Sequence, residues 1–164
     1  MRFKYSFQMV LQSTLLCLSL TGAAQATELT QLPGSPVRSI DQLHGKVVVI
    51  DFWASWCGPC RKSFPWFNQM QQKYQDQGLV ILAVNEDEDK TDADKFLAQF
   101  PASFAVLFDQ AGEVASQYQL QGMPTTLLLD RQGRVRFTHS GFFEGKTAAY
   151  EQEIQQLLQE DHKP

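Results

Sequence analysis

Apolar and polar positions follow two different periods along this chain, and each change of period marks an element. Val47-Val48-Val49-Ile50-Asp51-Phe52 is β-branched and almost wholly apolar, which predicts a central strand covered on both faces. Cys57 to about Gln77 carries Phe64, Phe67, Met70 and Tyr74 at helical spacing. That predicts a helix stopped by Gly78, with Pro65 kinking it near its start. Leu79 to Val84 reads as a second buried strand, and Glu86 to Asp89 as a solvated acidic loop. Asp92 to Phe100 is a short helix stopped by Pro101, Phe104 to Phe108 a short strand, and Glu113 to Tyr118 a small helix after the turn Asp109 to Gly112. Thr125 to Leu129 and Arg134 to Ser140, joined by a turn at Asp130 to Gly133, predict an antiparallel pair. Thr147 to Gln159 is an amphipathic helix with Ile154, Leu157 and Leu158 on one side. Parallel units first and a hairpin last predict an α/β sandwich with a mixed central sheet flanked by helices.

The first residues follow a different logic. Arg2 and Lys4 are followed by an apolar stretch, clearest at Leu15 to Leu20, and by the small-x-small pattern Ala24-Gln25-Ala26. This predicts a signal peptide over 1–26 and a single domain over 27–164, exported to the periplasm. A retained anchor fits less well, because Gln12, Ser13 and Thr14 interrupt the apolar stretch. Lipidation at Cys17 also fits poorly, with Thr14 and Leu16 where a lipobox needs Leu and a small residue. Cleavage removes two basic residues and no acids, taking the formal charge from −4 to −6. That charge disfavours nucleic acid and anionic membrane surfaces as partners. The 164 residues suffice for one domain with a real core, and 12 phenylalanines suggest that many rings fill it.

Of the three cysteines, cleavage leaves Cys57 and Cys60. Two cysteines three positions apart do not staple a fold; at the end of a strand they form a site that gains and loses a disulfide. The start of a helix stabilises a thiolate through its unpaired N–H groups and partial positive charge. Cys57 is therefore the expected attacking thiol and Cys60 the resolving one. A zinc site would need further ligands, and the three histidines are scattered. Asp51 lies inside the apolar strand, six residues before Cys57, and reads either as an acid–base group serving Cys60 or as a hydrogen-bonded structural carboxylate. Trp56, Gly58 and Pro59 are expected on a docking rim, and Trp53 either beside them or in the core. Arg61 and Lys62 could favour the thiolate or be plain solvated positions. Met123-Pro124 enters a strand after a turn and could be cis or trans.

The run Phe52-Trp53-Ala54-Ser55-Trp56-Cys57-Gly58-Pro59-Cys60 closely resembles the active site of thioredoxin-like proteins. Asp51, Pro65 and Met123-Pro124-Thr125 match that family's buried acid, kink proline and cis-proline loop. The long stretch from Val84 to Pro124, with an extra helix and strand before the cis-proline loop, resembles the exported TlpA, ResA and CcmG/DsbE group. The resemblance implies a thioredoxin-like three-layer sandwich and thiol–disulfide exchange, usually as a reductase. It also implies electrons from a membrane thiol transporter of the DsbD or CcdA kind, and disulfide-bearing protein substrates such as apocytochrome c. The Met123-Pro124 loop would hold the substrate strand through main-chain hydrogen bonds. No metal or organic cofactor is expected, since the dithiol carries the two electrons. The dipeptide Gly58-Pro59 is that of general thioredoxins, whereas specialised cytochrome-maturation members often differ there and carry an acid in or near the groove. Three other readings compete: an oxidase or isomerase of the same fold, a thiol peroxidase, and a metallochaperone. The peroxidase would want a Thr-x-x-Cys pattern. The metallochaperone would want wider cysteine spacing and a nearby histidine, for which His139 is the candidate.

Overall fold

The computed structural model describes residues 40–160. The expected signal peptide, Cys17 and residues 27–39 lie outside them. A five-stranded sheet forms the centre, in the order β3-β2-β1-β4-β5. Its strands are β1 (Val47–Trp53), β2 (Leu79–Asn85), β3 (Ala105–Phe108), β4 (Thr125–Leu129) and β5 (Val135–Ser140). The helices are α1 (Cys60–Tyr74), α2 (Lys90–Gln99), α3 (Glu113–Gln117) and α4 (Thr147–Gln159). β1, β2 and β3 run parallel, while β4 is antiparallel to both β1 and β5. The sheet is therefore mixed, with its hairpin last, as the order of patterns predicts.

All seven residues of β1 are buried, which is why its run is apolar at every position rather than at alternate ones. Ile50, Phe52, Val84 and Leu127 face one layer, which Val114 of α3 and Leu43 help to cover. Val49, Ile81 and Leu128 face the other, under Phe67 and Met70 of α1 and Ile154 and Leu157 of α4. The inserted α2 and β3 widen the sheet at the β2 edge, and Phe96 of α2 closes the aromatic cluster around Trp53 and Phe64. Asp89 starts α2 by accepting the Thr91 N–H at 2.8 Å.

Two expectations need correction. The helix begins at Cys60, not Cys57. Cys57 donates its N–H to the Ala54 carbonyl in a turn, at 3.0 Å, and the helix opens after Pro59 (φ −62°), whose missing N–H is no loss there. The stretch Glu86 to Asp89 is not uniformly solvated: Asp87 is buried and Glu86 half-buried, each held by partners distant in sequence.

Candidate active site

The central strand β1 ends at Trp53, at one end of the sheet, and the turn after it leads into α1. Cys57 and Cys60 are joined across this turn, with Cα atoms 5.4 Å apart. Cys60, the first residue of α1, is fully buried, whereas Cys57 lies one turn ahead and is 3% exposed. Trp56 is 66% exposed, and Gly58 and Pro59 are also on the surface, so the disulfide is reached past these three. Trp53 belongs to the core: it is fully buried against Phe64 (ring centroids 4.9 Å) and Phe96 (4.7 Å). Arg61 and Lys62 are exposed, and Lys62 pairs with Glu144 at 2.7 Å, so that charge is shared with the loop after β5.

The Met123-Pro124 peptide is cis. Met123 packs against the same cluster that holds Cys57, Cys60 and Trp53, so the proline loop and the disulfide share one site. The loop is fixed from both sides: Thr125 Oγ1 donates to the Gly122 carbonyl at 2.6 Å, and the Gly141 N–H donates to the Pro124 carbonyl at 2.7 Å.

Asp51 is fully buried on the face that α1 covers. Its β2 neighbour, Ala83, belongs to the cluster of the two cysteines, and its β4 neighbour is Thr126, whose hydroxyl donates to Asp51 Oδ1 at 2.7 Å. Burial pushes the Asp51 carboxyl up to about 7, and the Thr126 bond offsets only part of that. Oδ2 has no hydrogen-bond partner among the described residues. His139 lies two strands away from β1, bonded to Glu153 of α4 at 2.5 Å.

Three contributions escaped the sequence reading. Asp87 accepts both the N–H and the hydroxyl of Ser55, each at 2.9 Å, and the Asn85 amide at 2.8 Å. It thereby clamps the turn that carries Cys57. Thr126 looked like a plain strand residue. Glu86 donates its backbone N–H to the Trp53 carbonyl at 2.9 Å, and its side chain meets Asp109, which caps α3. Burial first, and then the Asp109 charge, push the Glu86 carboxyl up to about 8. An acid just past a buried strand, at the sheet end that holds the cysteines, was the one signal available for Asp87.

Asp87→Ala would leave the Ser55 N–H without its acceptor in a half-buried place. The expected cost is about 1–3 kcal/mol, read as a lower urea midpoint at unchanged slope. An unchanged midpoint would show that the clamp contributes nothing.

A buried cysteine-pair turn between a strand and a helix, met by a cis-proline loop at the same end of a mixed sheet, defines the thioredoxin-like class. The chain belongs to the Redoxin family, whose model matches residues 20–154. It is 38% identical to the thiol-disulfide oxidoreductase ResA of Geobacillus thermodenitrificans (strain NG80-2) over 108 residues, covering 66% of this chain and 62% of that protein. It thus spans about three fifths of the length of the ResA relatives it matches. Among solved structures, a thiol:disulfide interchange protein of the DsbE kind from Chlorobium tepidum superposes with a TM-score of 0.77 at 48% identity, over 82% of this chain and 94% of that one. A protein disulfide isomerase from Bacteroides thetaiotaomicron gives 0.74 at 26% identity, over 84% and 88%. These likenesses bear out the thioredoxin-like, ResA- and DsbE-related resemblance. Among the described residues, no helix is long and apolar enough to cross a membrane.

Proposed function

We propose that this chain is an exported thiol–disulfide oxidoreductase that reduces disulfides of periplasmic proteins. The observation that carries the reading is the Cys57–Cys60 pair at the head of α1 with Met123 of the cis-proline loop packed against it. Cys57 as thiolate attacks a substrate disulfide, and a mixed disulfide forms. Cys60 then attacks the Cys57 sulfur, releasing the reduced substrate and regenerating the bond between the two cysteines. Asp51 takes the Cys60 proton; a carboxyl near 7 is well matched to that task at neutral pH. The backbone at Met123 and Pro124 holds an extended substrate strand, and Trp56, Gly58 and Pro59 form the opposite rim.

Residues 1–26 act as the signal peptide, and residues 27–164 form the working domain. Outside the reducing cytosol the oxidised pair must be recharged. A membrane dithiol donor of the DsbD or CcdA kind fits that need, and disulfide-bearing exported proteins, apocytochrome c among them, are the substrates. The names ResA and DsbE borne by similar proteins support the chemistry.

The direction is tested by equilibrating the protein with glutathione. A potential below about −200 mV, towards the thioredoxin value, is expected of a reductase; one near −120 mV would make it an oxidase.

A further inference from the structure

A row of four side chains crosses the sheet at the level of Asp51. Ala83 on β2, Asp51 on β1, Thr126 on β4 and His139 on β5 are successive cross-strand partners, so they share one face. The row is apolar at its β2 end and polar from the centre to the β5 edge. Thr126 Oγ1 donates to Asp51 Oδ1 at 2.7 Å, and His139 Nε2 meets Glu153 Oε2 of α4 at 2.5 Å. Asp51 is fully buried, whereas the side chains of His139 and Glu153 are each 23% exposed. Between the two ends, Thr126 and His139 line one cavity of about 10 Å³, room for a single water. The rest of its wall is mostly carbon, from Val49, Phe67 and Ile154 among others, with Trp66 and Tyr150 also lining it, so the Thr126 hydroxyl and the His139 imidazole are the two polar groups of the row that border that water.

A carboxyl with no exposed surface that takes a proton from Cys60 must lose it before it can act again. Apart from the two cysteines and the Trp53 indole, the side chains packed on that face are hydrocarbon, and its β2 neighbour is an alanine. The polar route leads sideways, through the sheet, to β5.

We propose that Thr126 and His139, bridged by one water, form the path by which Asp51 exchanges its proton with solvent. The proposal rests on the reading of Asp51 as acid–base partner of Cys60, and it makes Thr126 and His139 positioning residues. As Cys60 attacks the mixed disulfide, its S–H bond breaks and the proton goes to Asp51 Oδ2. The bond between the sulfurs of Cys60 and Cys57 forms, and the bond from Cys57 to the substrate sulfur breaks. The electron pair leaves with the substrate thiolate, which water protonates. Rotation of the neutral Asp51 carboxyl then presents its proton to the Thr126 hydroxyl, which gives its own to the cavity water. His139 takes part as the neutral tautomer that donates Nε2–H to Glu153: its Nδ1 lone pair then accepts a proton from that water, while the Nε2 proton leaves by way of Glu153. One proton passes from Cys60 to solvent; Thr126 is unchanged, and His139 is left as its Nδ1–H tautomer, which proton exchange with solvent returns to the Nε2–H form. The groups facing His139 are Glu153 and the Tyr150 ring on α4 (centroids 4.6 Å), Thr126 on β4 and, behind it, Asp51 on β1; α1 presents only Trp66 and Phe67 to the cavity.

A pH-jump experiment on the reduced full-length protein tests the path. An aromatic disulfide reagent releases two coloured thiolates, the first when Cys57 attacks and the second when Cys60 does. Protein held at about pH 5.5, where Asp51 is protonated, is mixed into reagent at about pH 8. In Thr126→Val and in His139→Ala the second phase after the jump should then be at least about fivefold slower than in the same variant pre-equilibrated at about pH 8, whereas wild type should show no such difference. Thr126→Ser should recover the wild-type rate, and added imidazole should recover His139→Ala. A purely structural role would not depend on the starting pH. If both variants respond to the jump as wild type does, the path is wrong. If Asp51→Asn leaves the second phase untouched, the reading of Asp51 fails instead.

Discussion

Replacing Cys57 with alanine is expected to abolish disulfide exchange, a fall of at least about 10³-fold in kcat/KM, because no second nucleophile can take its place. Cys60 is fully buried as the first residue of α1, and a substrate disulfide cannot reach its sulfur. Cys57 sits one turn earlier, 3% exposed, between the exposed Trp56 and Gly58. The start of α1 lies beside it, and cysteines so placed have pKa values of roughly 3.5–7.5 against about 8.5 for a free thiol. Alkylation of the reduced protein at neutral pH should therefore label Cys57 far ahead of Cys60. Cys60→Ala should fail differently. It completes the first attack and then stalls, so mixed disulfides on Cys57 accumulate and can be isolated with their substrates. The two variants together assign the roles: if Cys57→Ala also traps substrates, or if alkylation finds Cys60 first, attacking and resolving thiols are exchanged.

The strands and the dithiol were legible because their signals are local. β1 is buried on both faces, so an unbroken apolar run marks it, and the two cysteines follow within the same stretch. The first turn of α1 was misplaced because nothing in Cys57-Gly58-Pro59-Cys60 states whether Cys57 is helical. The bond from its N–H to Ala54 decides, and a turn and a helix both tolerate that sequence. The acidic stretch misled for a related reason. Consecutive side chains point different ways, so Asp87 turns in to Ser55, 32 positions earlier, while Glu88 and Asp89 stay in water. Thr126 carried no mark at all, because its hydroxyl finds Asp51 only once β4 has paired with β1, 75 positions away. The cis form of Met123-Pro124 was legible as one of two options, since the dipeptide permits both.

Asp51→Asn is expected to make the protein more stable and slower at once. In the unfolded chain the carboxyl has its ordinary value of 3.8; in the folded one burial moves it to about 7, with the Thr126 bond opposing. The folded state thus holds a proton that the unfolded state releases between pH 3.8 and 7. Stability falls as pH rises through that window, and the full penalty applies above it. At about 1.4 kcal/mol per tenfold change in proton affinity the ceiling is near 4 kcal/mol, and relaxation around the site brings the expected gain for Asn to roughly 2–3 kcal/mol at alkaline pH. The gain should shrink as pH drops and vanish below the ordinary carboxyl value, where both side chains are neutral. Denaturant unfolding at several pH values reads this directly. On the proposed mechanism the same change removes the base for the Cys60 proton, so the second thiol exchange should slow by on the order of 10²-fold while the Cys57 step keeps its rate. A stabilising substitution that costs activity is what a buried, unpaired carboxylate held for chemistry would produce. If the Asn variant unfolds at the same denaturant concentration as wild type in alkaline buffer, Asp51 is not held at a cost. Its burial would then be structural.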